Sequence, residues 1–168
     1  AAMAIWHLHA ALNRVLPFRD AMESALAYGH SALAECPDSI DARVAAGWVA
    51  FLSWKPMAAE EHLNVALRIS PNSIDAHSRY SRFLACQQRF DDALSHARSA
   101  QRLDPLSRHV HVNAGIVLYT ARRYREALEE LKKSLALNAD SPHTWVHIGA
   151  CQLALGRFKQ AMLCVRKA

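Results

Sequence analysis

Two stretches of the chain, DDALSHARSAQRLDP (residues 91–105) and REALEELKKSLALNA (residues 125–139), align column by column at a spacing of 34 residues. Ala93 of the first stretch aligns with Ala127 of the second. A fixed spacing of this kind is the sequence signature of a repeat architecture, in which each unit is one supersecondary element. The repeat therefore indicates the fold class before composition is considered.

The same spacing runs through most of the chain, in columns that each hold one kind of residue. The columns are Ala25, Ala59, Ala93, Ala127 and Ala161; Pro37, Pro71 and Pro105; Gly47, Gly115 and Gly149, with Ser81 in the remaining place; and Phe90, Tyr124 and Phe158. Chance does not align so many independent columns. The repeat is thus a property of the whole sequence and not of two similar helices.

The composition independently favours helices. Ala and Leu, which are strong helix formers, are abundant, whereas the 168 residues include only 5 Gly and 6 Pro. Hydrophobic residues make up 52% and charged residues 21%, which argues against a disordered chain. No stretch approaches the roughly 18 apolar residues of a membrane-spanning helix. No signal peptide is recognisable at the start, which we expect to be a boundary within a longer chain.

Each unit predicts two helices joined by a short turn. In the third unit we expect helices over residues 75–87 and 91–103, with Asp91 as N-cap and Pro105 ending the second helix. Small residues in the facing columns let the two backbones approach closely, so a larger side chain at Gly115 should cost about 1–3 kcal/mol. The predicted units, within a single domain of residues 1–168, are 6–39 (degenerate), 40–73, 74–107, 108–141 and 142–168 (truncated).

These columns resemble the tetratricopeptide repeat family, whose motif of small, aromatic, alanine and proline positions has the same 34-residue period. The resemblance implies an all-α fold of the α-α superhelix class, a solenoid of about five helix-turn-helix repeats with a right-handed curve. The first unit departs from the motif, because Asn13 occupies the glycine position. Solenoids need polar caps, so the uncapped end at Ala168 predicts a continuing chain or a covering partner.

A narrower resemblance lies in residues 97–107 and 115–127. These stretches are similar to the repeat region of bacterial regulators that carry an N-terminal winged-helix domain, and to arrays that follow cyclase or kinase domains in other bacterial signalling proteins. This resemblance implies the regulatory or sensor arm of a larger bacterial transcriptional regulator. It also implies a cytoplasmic location, or a periplasmic one if the parent protein is tethered to a membrane.

The sequence offers no signature of catalysis. It contains no phosphate-binding glycine loop, no serine nucleophile elbow and no zinc-protease helix motif. We therefore predict that the chain is not an enzyme and binds no cofactor. His143 and His147 share a helix face, but without further ligands we interpret them as ordinary polar residues and predict no metal site. The four cysteines form no close pair, and we expect small buried thiols.

The tetratricopeptide resemblance implies that the first helix of each unit lines a concave groove. By that resemblance, the candidate peptide-binding residues are Trp48, Arg79, Arg82, His109, Asn113, Tyr119, His143 and His147. In relatives that clamp a C-terminal carboxylate, Lys, Asn and Arg residues occupy fixed positions. Only Asn113 matches that set, while Ser78, Arg82, His143 and His147 differ, so binding of chaperone tails is not predicted.

The charge is unevenly divided along the chain. Residues 1–73 hold five Lys or Arg and seven Asp or Glu, whereas residues 74–168 hold fifteen and eight. The basic half favours an acidic peptide or protein segment in the groove of residues 74–154, aided by histidines that become charged as the pH falls. A flanking segment of the parent protein is an equal alternative. Self-association into a homodimer through the uncapped end repeats is another, and nucleic-acid binding is a weaker one.

Overall fold

The computed structural model describes residues 18–139 and 141–168, and within these residues all regular secondary structure is helical. The predicted first repeat, residues 6–39, starts before the first described residue, and Asn13 is not among the described residues. The helices of the described residues are α1 (Phe18–Glu35), α2 (Ile40–Leu52), α3 (Pro56–Ile69), α4 (Ile74–Cys86), α5 (Phe90–Leu103), α6 (Arg108–Thr120), α7 (Tyr124–Leu137), α8 (Pro142–Ala154) and α9 (Phe158–Val165). From α2 onward they come in pairs, and the boundaries of the repeats themselves remain a prediction.

The described residues form two compact units, the first ending at Arg79 and the second beginning at Tyr80. We call these, and not the repeats, the first and the second unit. In the first unit α2 packs against both α1 and α3. One apolar cluster of this unit is centred on Ala45 and Trp48, and a second joins Val44 to Ala66 and Ala76. These clusters are built largely from alanine and valine, because small side chains allow the helices to lie close together.

In the second unit each helix from α5 to α9 packs on the next one along the chain. Helix α6 also contacts α8, so the first helices of consecutive pairs lie side by side. The fully buried side chains of this unit include Leu84, Val117 and Leu131. Most residues of α6 are buried in this arrangement, and only His109 and Tyr119 of this helix are exposed.

Glycines in the first helices allow the close pairing that the sequence predicted. A Cβ atom built on Gly115 would lie 2.7 Å from Cγ of Leu131 and 3.4 Å from the carbonyl oxygen of Ala127. A Cβ atom on Gly47 would lie 2.8 Å from Cγ of Leu63. Distances this short leave no room for a side chain, so these positions fix how tightly each pair can close.

The turn between the paired helices differs from the sequence prediction. Helix α5 begins at Phe90 with Arg89 as its N-cap, so Asp91 lies in the first turn and is not the cap. The turn is made by a residue in the left-handed region, Gln88, with φ of 62°. Its equivalents one repeat apart are Trp54 (φ 58°), Arg122 (φ 58°) and Gly156 (φ 72°). A single residue in the left-handed conformation reverses the direction of the chain within three residues. If Asp91 were the N-cap, the turn would be longer than this.

Two further sequence expectations concern burial. Cys151 and Cys164 are buried as predicted, but Cys36 and Cys86 are exposed, and all four are free thiols. Cys86 is the last residue of α4, and Cys36 directly follows the end of α1. Among residues 18–139 and 141–168, no helix is both long and apolar enough to cross a membrane.

Candidate functional site

Five basic side chains come together in the second unit, from the end of α4 and the beginnings of α6 and α8. We call them the basic cluster: Arg82, Arg108, His109, His143 and His147. Helix α6 begins at Arg108 and α8 at Pro142. The cluster therefore surrounds two helix N-termini, whose dipoles add to the positive potential.

Hydrogen bonds fix the position of Arg108 in the cluster. Its Nη1 donates to Oγ of Ser141 at 2.8 Å, and Ser141 is the buried N-cap of α8. Its Nη2 lies 3.3 Å from Nε2 of His109. The guanidinium thus ties the start of α6 to the start of α8, so the two helix ends are held as one surface.

His143 and His147 form a pair on the exposed face of α8. Their Nε2 atoms are 3.3 Å apart, and the rings meet edge to face with centroids 4.6 Å apart. One imidazole can donate to the other only if the acceptor nitrogen carries no proton. The 3.3 Å separation therefore requires that at least one of the two rings is neutral.

The electrostatics of the cluster keep this pair neutral. Burial lowers the pKa of His147 to about 4, and the positive charges of His143 and Arg82 act in the same direction. Burial also lowers the pKa of His143, followed by the charges of Arg82, Arg108 and His109. No carboxylate is among the groups that shift either ring. Burial and the two arginines thus keep the imidazoles neutral near pH 7, instead of letting them become charged near pH 6.5 as the sequence suggested.

The other predicted groove residues of the second unit lie elsewhere. Asn113 is buried, and its Nδ2 donates to Oγ of Ser81 at 2.8 Å, so it links α6 to α4. Tyr119 lies at the opposite end of α6 from His109, with its ring centroid 5.5 Å from that of Tyr124. The basic cluster therefore contains four of the predicted residues, together with Arg108.

Two predicted groove residues belong to the first unit. Trp48 is buried, and the guanidinium carbon of Arg79 lies 5.3 Å from the centroid of its ring. Nε of Arg79 also donates to both carboxylate oxygens of Asp75, at 3.0 Å each. Arg79 thus has a carboxylate and an aromatic partner within its own unit.

Arg108 was missed as a site residue in the sequence. It lies directly before His109 at the first position of a first helix, a column in which the other repeats hold Ile40, Ile74 and Pro142, so the repeat pattern does not mark it as a ligand contact. The available signal was Ser141, which aligns with Ser107 and Ser73 in the 34-residue pattern and so marked the start of α8. Only the packing of α6 beside α8 brings Arg108 to that serine.

A second histidine site in this unit serves the packing of the helices. His111 is buried, with Nδ1 2.9 Å from Oε2 of Glu130 and Nε2 3.0 Å from the carbonyl oxygen of Pro105. Glu130 also accepts from Gln101 at 2.6 Å and from Lys133 at 2.7 Å. Burial alone would raise the pKa of Glu130, but the hydrogen bonds from Lys133, His111 and Gln101 lower it. This network joins α5, α6 and α7 and leaves the histidine no capacity for a ligand.

The described residues contain no group of three or more His, Cys, Asp or Glu side chains that could hold a metal ion. His143 and His147 converge, but their nearest charged neighbours are cations. A surrounding of this charge favours an anion over a metal ion.

Comparison with protein families identifies the repeats. Two family models, each described as tetratricopeptide repeat, match residues 84–142 and 118–168, which together cover the whole of α5 to α9. The chain belongs to the tetratricopeptide repeat family. The all-α, superhelical fold class predicted from the 34-residue period is confirmed. No curated protein matches the sequence.

Solved structures support the same fold. A thermophilic tetratricopeptide repeat protein of Thermus thermophilus aligns with a TM-score of 0.80 and 22% identity, over 98% of this chain and 89% of that one. PilF of Pseudomonas aeruginosa aligns with a TM-score of 0.71 and 23% identity, over 99% and 75%. YrrB, described as having an unusual peptide-binding site, aligns with a TM-score of 0.61 and 20% identity, over 98% and 84%. Identities this low show a shared fold and nothing of shared ligands.

Tetratricopeptide repeat proteins generally mediate protein–protein interactions or bind peptides, and the fold is typically a non-catalytic scaffold. Neither family model, and none of the three solved structures named above, is described as a winged-helix regulator or a cyclase-type protein. The class of ligand that these repeats bind is therefore inferred from the residues of the basic cluster.

Proposed function

We propose that the chain is a non-enzymatic interaction module that binds an acidic peptide segment at the basic cluster. The observation that carries this proposal is the convergence of cations: after burial, the charges of Arg82, Arg108 and His109 lower the pKa of His143. Such a cluster attracts a carboxylate of a ligand, and a guanidinium can bind a carboxylate in a bidentate fashion. One structural neighbour, YrrB, is described as having a peptide-binding site, which supports a peptide as the class of ligand.

The neutral histidines give the proposed site a dependence on pH. An anion bound beside His143 and His147 stabilises their charged forms, so it raises the pKa of each ring and draws protons into the complex. By linkage, affinity then increases as the pH falls through the raised pKa values of the bound rings toward about 4, the pKa of His147 in the free protein. In the free protein the rings serve as hydrogen-bond donors and acceptors, and the charge is provided by the arginines.

The biological setting is a second part of the proposal. We infer that the module is the regulatory or sensor arm of a larger bacterial regulator, acting in the cytoplasm. The support for this is the resemblance of residues 97–107 and 115–127 to the repeat regions of such regulators. If a flanking segment of the same regulator is acidic, it could bind the basic cluster in the same way as a peptide of another protein. Trp48, Arg79, Asn113 and Tyr119 remain predicted ligand contacts.

The test uses a labelled acidic peptide and its neutral counterpart. The peptide has about ten residues, half of them Glu, with blocked ends, and the counterpart has Gln in place of each Glu. Binding is measured by fluorescence anisotropy with the wild type and with Arg82→Gln. Arg125→Gln is the matched control, because it removes the same charge from an exposed residue of α7, which is outside the basic cluster.

We expect Arg82→Gln to weaken binding of the acidic peptide by about tenfold, and Arg125→Gln by less than about twofold. The neutral peptide should not bind at the same concentrations. Replacing His143 and His147 by Gln should remove most of the pH dependence while leaving the helical circular dichroism spectrum unchanged. Equal binding of the two peptides, or equal effects of the two arginine variants, would contradict the proposal.

A further inference from the structure

A cleft of about 400 Å³ lies between the turns of two consecutive helix pairs in the second unit. One turn joins α4 to α5, and the other joins α6 to α7. We call it the turn cleft, and its lining residues are Ala85, Cys86, Gln88, Phe90, Thr120, Ala121 and Arg122. A cleft of this volume is large enough for a small molecule or for one side chain of a partner.

The apolar part of the turn cleft consists of an aromatic ring and two alanines. Phe90 is partly buried at the start of α5, Ala85 is 2% exposed, and Ala121 is partly buried. An aromatic face beside small side chains leaves room for a flat apolar group to stack. The lining therefore favours a ligand that carries a ring.

Two neutral polar side chains add hydrogen-bonding groups to the turn cleft. Oγ1 of Thr120 donates to the carbonyl oxygen of Ile116 at 2.9 Å. Because this bond uses the only proton of the hydroxyl group, Thr120 can only accept a hydrogen bond from a ligand. The amide of Gln88 can donate or accept. The turn cleft can therefore receive an N–H or O–H group of a ligand.

Arg122 is the one charged residue among those that line the turn cleft, and it is exposed. The arginines of the same two turns are paired, Arg89 with Asp92 and Arg123 with Glu126. By contrast, the guanidinium of Arg122 forms no hydrogen bond or ion pair with another described residue. A free guanidinium can bind a carboxylate through two parallel hydrogen bonds, so it favours an anionic group in the ligand.

The backbone of both turns is strained where it borders the turn cleft. Gln88 has a φ of 62° and Arg122 a φ of 58°. Glycine adopts this left-handed conformation without strain, and Gly156 occupies the same position one repeat later. Residues held in such conformations are common at binding sites. An arginine at a position that suits glycine therefore supports a role for its side chain in binding.

We propose that the turn cleft binds an aromatic carboxylate. The carboxylate pairs with Arg122, the ring stacks on Phe90, and an N–H or O–H group of the ligand donates to Thr120. A free aromatic acid and the C-terminal aromatic residue of a polypeptide both present these groups. The inference goes beyond the peptide binding proposed for the basic cluster and does not rest on it.

The lining is less suited to two other classes of ligand. A basic side chain would find no carboxylate among the lining residues and would be repelled by Arg122. A phosphate group is commonly held by several cations or by the backbone N–H groups of a helix N-terminus. The turn cleft offers a phosphate only one arginine.

The test uses indoleacetate and its neutral amide, indoleacetamide, which share the ring and its N–H group and differ in charge. Binding to the 168-residue chain is measured by isothermal titration calorimetry, with the wild type and with Arg122→Gln. Glutamine suits this position, because Gln88 has the same backbone conformation one repeat earlier. Arg125→Gln is the matched control, since Arg125 is exposed on α7 and does not line the turn cleft.

We expect the acid to bind at least about fivefold more tightly than the amide. Arg122→Gln should weaken binding of the acid by about tenfold, and Arg125→Gln by less than about twofold. Arg122→Gln should leave binding of the amide unchanged. Both variants change exposed residues, so both should keep the helical circular dichroism spectrum.

A peptide distinguishes the two sources of the ligand. It has about ten residues and ends in tryptophan, with either a free C-terminal carboxylate or an amide in its place. Tighter binding of the free-ended peptide than of indoleacetate, lost in Arg122→Gln, would identify a polypeptide terminus as the ligand. Tighter binding of indoleacetate would identify a small molecule.

The exposed thiols of the chain report where the acid binds. Cys86 lines the turn cleft, whereas Cys36, the other exposed cysteine of the described residues, lies in the first unit. Saturating indoleacetate should slow the alkylation of Cys86 by iodoacetamide at least about threefold and leave that of Cys36 unchanged. Peptide mass spectrometry measures both rates in one sample.

Three results would overturn the proposal. Equal binding of the acid and the amide would mean that no cation contacts the ligand. Unchanged alkylation of Cys86 would place the ligand outside the turn cleft. The basic cluster is the nearest competing site, because burial raises the pKa of the Cys86 thiol and the charge of Arg82 lowers it. Loss of binding in Arg108→Gln but not in Arg122→Gln would place the acid in that cluster.

Discussion

Residues 108–141 and residues 142–168 follow the same 34-residue pattern, yet equivalent residues of the two segments lie in opposite surroundings. In the first segment both helices are enclosed by neighbours, and each basic residue of α7 that pairs does so with a glutamate of its own helix. In the second, α9 is covered on one side and has no acidic residue. The comparison teaches that a repeat column specifies a helix and its partner within the pair, whereas burial is decided by the next pair along.

The largest difference between the two segments is expected when the same apolar position is replaced by alanine in each of them. Leu131 is fully buried, so Leu131→Ala should lower the free energy of unfolding by about 2–4 kcal/mol through lost burial and a cavity. Val165→Ala, at the equivalent exposed position, should change it by less than about 0.5 kcal/mol. Urea denaturation followed by circular dichroism measures both. Similar losses for the two variants would show that α9 is covered in solution.

A second comparison adds one methyl group at equivalent glycines. A Cβ atom at Gly115 would lie 2.7 Å from Cγ of the buried Leu131, so Gly115→Ala should destabilise by about 1–3 kcal/mol. At Gly149 the nearest atom, Cβ of Cys164, is 3.3 Å away, and within the described residues α9 packs on α8 alone, so α9 can shift. Gly149→Ala should therefore cost less than half as much, since alanine also favours the helix. Thermal unfolding of both variants measures the two losses of stability. A larger loss for Gly149→Ala than for Gly115→Ala would contradict the prediction.

The third comparison concerns pH and uses His147, whose equivalent one repeat earlier is Asn113. The folded protein keeps His147 neutral down to its pKa of about 4, whereas the unfolded chain takes up the proton near pH 6.5. Protons therefore favour the unfolded chain between these values, and stability falls as the pH is lowered from about 6.5 to about 4. His147→Asn should lose about 1–2 kcal/mol less over this range, allowing for screening of a partly exposed ring. Denaturation at several pH values checks the difference, and parallel curves for the two proteins would contradict it.

The smallest expected effect lies at the turn within each pair of helices. Arg122 has a φ of 58°, and the equivalent residue in the last segment is Gly156, with a φ of 72°. Glycine adopts this left-handed conformation without steric strain, so Arg122→Gly should stabilise by about 0.5–1 kcal/mol. Gly156→Arg should destabilise by a similar amount. Opposite shifts of the unfolding midpoint are expected, and a loss of stability in Arg122→Gly would mean that the arginine side chain outweighs the strain.

Much of the fold could be predicted from the period of 34 residues. The pairing of helices, the close approach at Gly115 and the helical class all follow from which columns hold small residues. The N-cap of α5 could not, because Asp91 is a better cap by residue type, and the left-handed Gln88 that moves the helix start to Phe90 is not a glycine. Residue type predicts a turn poorly where the repeat as a whole imposes its backbone conformation.

The candidate site was predicted only in part. Arg82, His109, His143 and His147 were recognised from their places on first helices, but Asn113 proved to be buried against Ser81, and Arg108 was overlooked. The histidines were expected to gain charge near pH 6.5. Their burial and their cationic neighbours oppose this, and both depend on distances between residues far apart in the sequence.

By itself, the sequence determined that the chain is helical, that the helices come in pairs with a period of 34 residues, and that the positive charge lies in the second half. These are local properties, set by residue type and spacing, and they need no knowledge of which helices touch. The tertiary structure alone decided which cations gather into the basic cluster and which apolar columns remain open at α9. Potential and burial are sums over neighbours in space, so identical columns acquire different surroundings wherever the neighbours change.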